Sequence, residues 1–409
     1  MGLEKISTQE GYQKAVDLLQ QATTPHGILA SPAETANYRR IWARDGVICG
    51  LAGLLIGNEA LTAGLKATLA TLIRTQGPDG QIASNVKVAE NGDILDVSYG
   101  RICGRVDTIS WFVIGACQYL RHHADGALAG EAEPAMQRGL DLLTAWEFNR
   151  RGLMYVPQSG NWADEYILHG YVLYDQLLRL WALRCHAEVT GTAASRQKAG
   201  LVQELIERHY WAEETLSQNR ELIHPRAYEQ YLEEHGPSTF WLSGFAPGGY
   251  FTRFDAFANA LAVLLDLGSP EQQQRCLEHG NAIASSLATK LVPAFWPPIT
   301  ESDPEWRQLR TNYAETFRNM PCEYHNGGVW PVVNGWWGMA LCKAGFTEKA
   351  RALLTALYAF NYQSADGTPW GFYEYGNAIT GAPGGTKHLA WSAAAVILLE
   401  AALSGASFW

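Results

Sequence analysis

The sequence predicts an all-α fold, an (α/α)6 barrel of six inner and six outer helices with a small β-hairpin insertion near its active face. Six polar, aromatic and Gly-rich clusters each run directly into a long apolar stretch, and amphipathic stretches alternate with the apolar ones. The clusters recur at roughly sixty residues or more, longer than the about 33 to 47 residues of open helix-pair solenoids.

The clusters are Tyr38 to Asp45, Gly104 to Asp107, Gly160 to Asp164, Gly248 to Asp255, Tyr324 to Gly328 and Gly384 to His388. The stretches they feed, 46–57, 108–121, 166–185, 255–267, 328–343 and 387–403, are apolar all round, as buried helices are. Between them, 8–22, 59–75, 133–149, 193–213, 270–290 and 346–361 carry charges along one side and read as helices with one wet face. A closed toroid explains why Trp, Arg, Asp and Asn gather at the same end of each inner helix. An open solenoid does not. Residues 1–409 contain no Ser/Pro-rich linker, charge block or low-complexity run, so a single catalytic domain is expected.

The hairpin is expected within 77–103, where Gly77-Pro78-Asp79-Gly80 precedes two alternating runs joined at Asn91-Gly92. Irregular stretches at 214–251 and 291–327, rich in Trp, Pro and Tyr, are predicted to be ordered lids over the same face.

A formal charge of −10 disfavours a nucleic-acid partner. No apolar run suits a membrane span, and Met1-Gly2-Leu3-Glu4-Lys5 lacks a secretory core, so a cytoplasmic location is expected. Ile6 stands where a myristoylation signal needs Ser or Thr. Seven cysteines, mostly inside apolar stretches, read as reduced packing thiols, with Cys103 and Cys322 the two nearest the clusters. No His, Cys or carboxylate spacing suggests a metal, and no cofactor is expected. Homo-oligomerisation is left open.

Fifteen tryptophans and eighteen tyrosines, several at the clusters, suit a saccharide, whose ring faces stack on indole while Asp, Asn, Arg and His bond its hydroxyls. Trp111, Trp336 and Trp337 lie inside helices and read as core; Trp42, Trp162, Trp330 and Trp370 lie beside charged or amide groups and read as sugar contacts. Breaking a glycosidic bond needs two carboxyl groups, one to protonate the leaving oxygen and one to activate water or attack. Asp107, following Gly104-Arg105 and opening an apolar helix, is one candidate, with helix capping as its alternative role. Glu374, wrapped by Trp370, Phe372, Tyr373 and Tyr375, is the other, because an acid among aromatics is costly unless used. Asp45, Asp164, Glu165, Asp255 and Glu323 compete by position.

The segments Ile41 to Gly46, Gly104 to Phe112, Arg253 to Leu261 and Tyr324 to Pro331 resemble, in this order, motifs of the alkaline/neutral invertases of glycoside hydrolase family 100. They are also similar to bacterial amylo-α-1,6-glucosidases of glycogen-debranching type. Of the four, His325-Asn326-Gly327-Gly328-Val329-Trp330-Pro331 is the most specific. The resemblance implies Asp107 as acid and Glu374 as base. It further implies that Arg44 and Asp45 bind sugar hydroxyls, with Asp164, His325 and Asn326 beside them. Trp42, Arg105, Trp162, His169 and Trp330 complete the expected binding set. Two departures stand out: Gly46 replaces the family's Phe, and Tyr373-Glu374-Tyr375-Gly376 replaces Pro-Glu-Tyr-Tyr. The expected activity is inverting hydrolysis of a small saccharide, sucrose foremost. An exo-α-glucosidase of debranching type, a sugar epimerase or isomerase using His169, His325 and His388, and a non-catalytic glycan-binding barrel are the alternatives.

Overall fold

The computed structural model describes residues 8–214 and 221–409. The readings of Met1 to Ile6, and of residues 215–220 within the 214–251 stretch, lie outside these. The chain alternates between two rings. The inner helices are α2 (Ala43–Leu55), α4 (Asp107–His122), α6 (Leu173–Thr190), α9 (Ala256–Leu264), α12 (Pro331–Lys343) and α14 (Ala390–Leu403). The outer ones are α1 (Thr8–Ala22), α3 (Glu59–Arg74), α5 (Gly126–Ala145), α7 (Ala193–Tyr210), α10 (Pro270–Ser286) and α13 (Thr347–Tyr362).

Each inner helix packs on the next, α2 on α4, α4 on α6, α6 on α9, α9 on α12, α12 on α14, and α14 back on α2, which closes the ring. The outer helices α3, α5, α7, α10 and α13 each return along the inner helix before them, while α1 packs on α14 and completes the circle. Large buried side chains fill the centre: Trp111, Trp181 and Trp336 contact one another edge-on or tilted, at 5.8–6.0 Å between ring centroids. Trp111, Trp336 and Trp337 are fully buried, as their helical spacing predicts.

Side-chain caps are more frequent in the outer ring, although α7 and α13 there begin without one. Asn58 caps α3, Asp125 caps α5, and Ser269 and Gln272 form a reciprocal capping box on α10. Of the inner helices only α9 is capped by a side chain, Asp255, which accepts from Ala258 N at 3.0 Å; α2, α4, α6, α12 and α14 begin without one. Asp107 is thus not a cap: it is the first residue of α4, inside the first turn.

Helix boundaries depart from expectation in two places. The third inner helix starts at Leu173, because 160–170 forms an irregular loop leading into the strand Tyr171–Val172. α5 starts at Gly126, directly after its Asp125 cap, and accommodates Pro134. The hairpin is present as Asn85–Val88 paired with Ile94–Ser98, turning at Gly92 with φ of +90°. Its other edge pairs with Ile41–Trp42, which ties it to the first cluster. Two short helices, α8 (Pro225–His235) and α11 (Trp306–Leu309), lie within the stretches read as lids.

Candidate active site

A cleft of about 630 Å³ opens where the inner helices begin. Tyr38, Arg40, Trp42, Arg44 and Asp45 line it from the first cluster, Arg101 and Arg105 from the approach to α4, and Trp162, Asp164 and Glu165 from the loop before α6. Arg318, Tyr324, His325 and Trp330 line it from before α12, and Glu374 and Trp391 from around the start of α14. The fourth cluster contributes none, its Asp255 being spent on capping α9.

Glu374 is 3% exposed and held by groups from two other parts of the chain. Tyr38 donates its hydroxyl to Oε1 at 2.7 Å, and Thr386 N donates to Oε2 at 3.2 Å. Burial raises its pKa, while the Arg318 charge, the Tyr38 bond and the Thr386 amide pull the other way. The peptide around it is strained: Trp370 and Phe372, neither of them glycine, sit at φ +66° and +43°. Gly385, at φ +74°, passes so close that a Cβ there would overlap Oε2 and lie 2.7 Å from the Cβ of Glu374.

Across the cleft, Asp164 keeps 28% of its side chain exposed and pairs with Arg105. Its neighbour Glu165 lines the cleft too but is more deeply buried. There its carboxylate pairs with Arg318 at 3.4 Å, and its carbonyl accepts from Asn319 Nδ2 at 2.8 Å. Burial raises the Glu165 pKa, Arg318 opposes, and the Asp164 charge adds to the rise. Arg318 also caps the Tyr324 hydroxyl at 2.7 Å and lies 3.9 Å above that ring.

Asp107, expected to be the acid, does not face the cleft. It is 1% exposed, and its Oδ2 accepts from Arg44 Nη1 at 2.7 Å and from the Tyr174 hydroxyl at 3.4 Å. The side chain in the first turn of α4 points sideways to the adjacent α2, where the Arg44 guanidinium neutralises it beneath the floor. His169 also misses the cleft: its Nδ1 lies against Ile167 O and its ring packs edge-on against Phe251. Asn326 is fully buried and serves as a tie, accepting from Ile299 N at 2.6 Å and donating to the carbonyls of Ile299 and Asn319. Trp370 packs against Tyr358, Tyr362 and Phe372, with its indole N–H on Glu10.

The other expected contacts do converge. Trp42 is half-buried at the rim, and Trp162 and Trp330, only 2% and 1% exposed, pack perpendicular to each other in the floor. His325 stacks on Trp330 with 5.1 Å between centroids. Burial, reinforced by Arg318, Arg44 and Arg105, holds His325 well below its usual pKa and so neutral. Trp162 Nε1 and His325 Nδ1 have no hydrogen-bond partner among the described residues. Asp45, 4% exposed, is pushed up to about 6 by burial despite Arg44. Tyr38 and Arg318 were not singled out from sequence. Tyr38 stands in a cluster, but no motif marks Arg318. Among the described residues no three His, Cys, Asp or Glu side chains converge as a metal-binding group.

The alkaline and neutral invertase family model matches residues 11–404. The chain belongs to this family of glycoside hydrolases. The probable alkaline/neutral invertase A, chloroplastic, of Arabidopsis thaliana is 24% identical over 87% of this chain. The alkaline/neutral invertase C, mitochondrial, of the same plant is 26% identical over 85%. The chain spans 64% and 60% of their lengths. Among solved structures, a mannosylglycerate hydrolase of Thermus thermophilus superposes with a TM-score of 0.66 at 15% identity, covering 95% of this chain and 99% of that one. A Klebsiella oxytoca rhamnosidase gives 0.62 at 16% identity, covering 95% of this chain and 63% of its own. These likenesses establish the (α/α)6 barrel of the family. No helix among the described residues is long and apolar enough to cross a membrane.

The cradle around Glu374 yields a test. Gly385→Ala places a methyl on the carboxylate and costs about 1–2 kcal/mol for the left-handed backbone. A reactive group displaced by about 1 Å can lose about 10²-fold in rate. We expect kcat/KM to fall at least about tenfold with the protein still folded, measured by turnover beside a melting curve. Parent-like turnover would show that the close approach is dispensable.

Proposed function

We propose that this chain is an inverting glycoside hydrolase that removes the terminal sugar of a small, uncharged saccharide, sucrose foremost. The reading rests on one observation above all: Asp164 and Glu374 flank a single cleft from the loops before the third and sixth inner helices. In a closed ring of six these positions are opposite. Opposed carboxyls leave room for a water, at the roughly 6.5–9.5 Å separation of inverting enzymes rather than the about 5 Å of a nucleophilic pair.

In this scheme Asp164 gives its proton to the glycosidic oxygen as the bond to the anomeric carbon breaks. Glu374 accepts a proton from the water that attacks that carbon from the other face. One water is consumed, two sugars leave, and both carboxyls regain their starting states by exchange with solvent. Asp164 is preferred to Glu165 because its side chain is the more exposed in the cleft, 28% against 8%, and to Asp107 because that group is buried against Arg44. His325, Trp162 and Asp45 bond hydroxyls of the sugar at the cleavage point.

An uncharged substrate is favoured by four cleft arginines whose carboxylate partners take no part in the proposed chemistry, Arg40 with Asp96, Arg44 with Asp107, Arg101 with Glu315 and Arg318 with Glu165. A glycerate-bearing sugar would have to displace one of them. Sucrose itself is favoured by the names of the plant relatives; isomaltose and maltose are the substrates that separate the α-glucosidase reading.

The roles are separable with a glycosyl fluoride, whose leaving group needs no proton. Asp164→Asn and Glu374→Gln should each lose about 10² to 10⁴ in kcat on the natural saccharide. Asp164→Asn alone should recover near-parent rates on the fluoride. Recovery by Glu374→Gln instead, or parent activity in Asp164→Asn, would reverse or remove the assignment.

Stereochemistry is the second check. NMR of the first-released sugar should show the anomer opposite to that in the substrate, and retention would rule out the opposed pair.

The pH profile is the third. Glu374 works ionised, so activity is present above its raised pKa and is lost as pH falls through it. The Tyr38 hydroxyl favours the ionised form, so Tyr38→Phe should move the acidic limb of kcat/KM to higher pH. A limb unmoved, or moved to lower pH, would dissociate Glu374 from the profile.

A further inference from the structure

Two loops from distant parts of the chain meet over the Asp164 side of the cleft. The first is the turn between the hairpin and α4: Arg105 N bonds Tyr99 O at 2.9 Å, and a Cβ on Gly100 would overlap Cys103 O, so the loop is pinched shut with Arg101 and Ile102 at its tip. The second is the arch 312–319, which precedes α12 but is fastened to the loop before α6. Asn312 Nδ2 bonds Tyr166 O at 2.9 Å, Ser159 Oγ bonds Asn312 Oδ1 at 3.0 Å, and Asn319 Nδ2 bonds Glu165 O at 2.8 Å. Between these pins Ala314, Glu315 and Thr316 line the cleft. The tips are joined by an ion pair, Arg101 Nη1 to Glu315 Oε1, whose side chains are 62% and 71% exposed.

We propose that the Arg101–Glu315 bridge is the specificity determinant for chain length, a strap that closes the leaving-group side of the cleft and restricts the aglycone to about one sugar unit. The proposal rests on Asp164 being the proton donor, since the donor marks the side from which the leaving sugar departs. Each arm is held at its base, and the arch also at Ala314, whose N–H meets Glu165 Oε1 at 3.5 Å, so what joins the two tips is the exposed Arg101–Glu315 pair. An exposed ion pair is a weak link, screened by salt. The strap therefore sorts rather than locks: a second aglycone unit has to part Arg101 from Glu315, whereas a disaccharide fits beneath.

The test compares sucrose with raffinose and stachyose, and maltose with maltotriose and maltotetraose, series in which each added unit extends the aglycone. Arg101→Gln, Glu315→Gln and the exchanged pair Arg101→Glu with Glu315→Arg are compared with the parent. Specificity is read as kcat/KM. Affinity is read in a Glu374→Gln background as dissociation constants from the fluorescence of the cleft tryptophans. Each single substitution should raise the trisaccharide-to-disaccharide ratio about three- to fivefold, the most an exposed pair is worth, with disaccharide values unchanged. The exchanged pair should restore the parent ratio, and 1 M NaCl should move the parent toward the single variants. A ratio unchanged in both single variants, or an exchanged pair that behaves like them, would overturn the strap. Binding without hydrolysis of any saccharide would refute the hydrolase reading instead, and the dissociation constants would still decide the strap.

Discussion

Closure of the inner ring is the constraint on which everything else rests. Once α14 packs on α2, and each outer helix carries the chain back to the same end, six inner helices must begin together around one mouth. Their first amide groups carry partial positive charge, and in five of the six no side chain consumes it. Carboxylates gather there as a result: Asp45, Asp107 and Asp175 in the first turns of α2, α4 and α6, and Asp255 at the cap of α9. The helix ends do not fully offset desolvation. Burial pushes Asp45 to about 6 and Asp255 to about 7, and raises Asp175 well above its usual value. Arg44 answers part of this charge by pairing with Asp107, and that pair holds the Asp107 carboxylate away from the cleft.

That pairing explains how far the sequence could be read. The alternation of apolar and one-sided stretches depends on helical periodicity, which fixes burial around an axis, and so the two rings, the hairpin and the fully buried Trp111, Trp336 and Trp337 were legible. The place of Glu374 in the cleft was legible because an acid surrounded by aromatic residues has few structural uses. The acid was not. Position at a helix start places Asp107 near the mouth, but whether it faces the cleft or the neighbouring helix depends on Arg44, sixty-three residues earlier. Asp164 stood in a cluster too, yet the apolar composition after it suggested a helix from 166. Tyr166, Ile167 and Leu168 are buried in an irregular loop instead, and buried apolar residues look alike in either setting. His169 and Asn326 lie off the cleft for a related reason: polar residues in a cluster are needed to satisfy backbone groups in a tight loop as well as to meet a ligand.

The two sides of the cleft are built on different principles. Around Glu374 the parts are fixed: a tyrosine from the first cluster, an amide from Thr386, and a glycine with no space for a methyl group. The role of base proposed for Glu374, meeting one water in one direction, calls for that rigidity. Around Asp164 the parts are charged, partly exposed and paired. Arg105 holds Asp164, Arg318 holds Glu165 and Tyr324, and Arg101 reaches Glu315 over the top.

Such a division suits the reaction proposed above, in which the base keeps one geometry for every turnover while the donor side admits one sugar and releases another each cycle. Ion pairs at a wet surface break and reform at little net cost, because water and salt replace the lost partner. A roof of packed aromatics would have to expose apolar area at each opening, and that cost grows with every ring. The aromatics are accordingly in the floor, where Trp162 and Trp391 both pack on Trp330 and need not move, and the charges are in the roof. Rigidity beneath the sugar and replaceable contacts above it follow from burial: Trp162 and Trp330 lie in loops packed down onto the start of α14 at Trp391, whereas the roof is made of exposed loop tips.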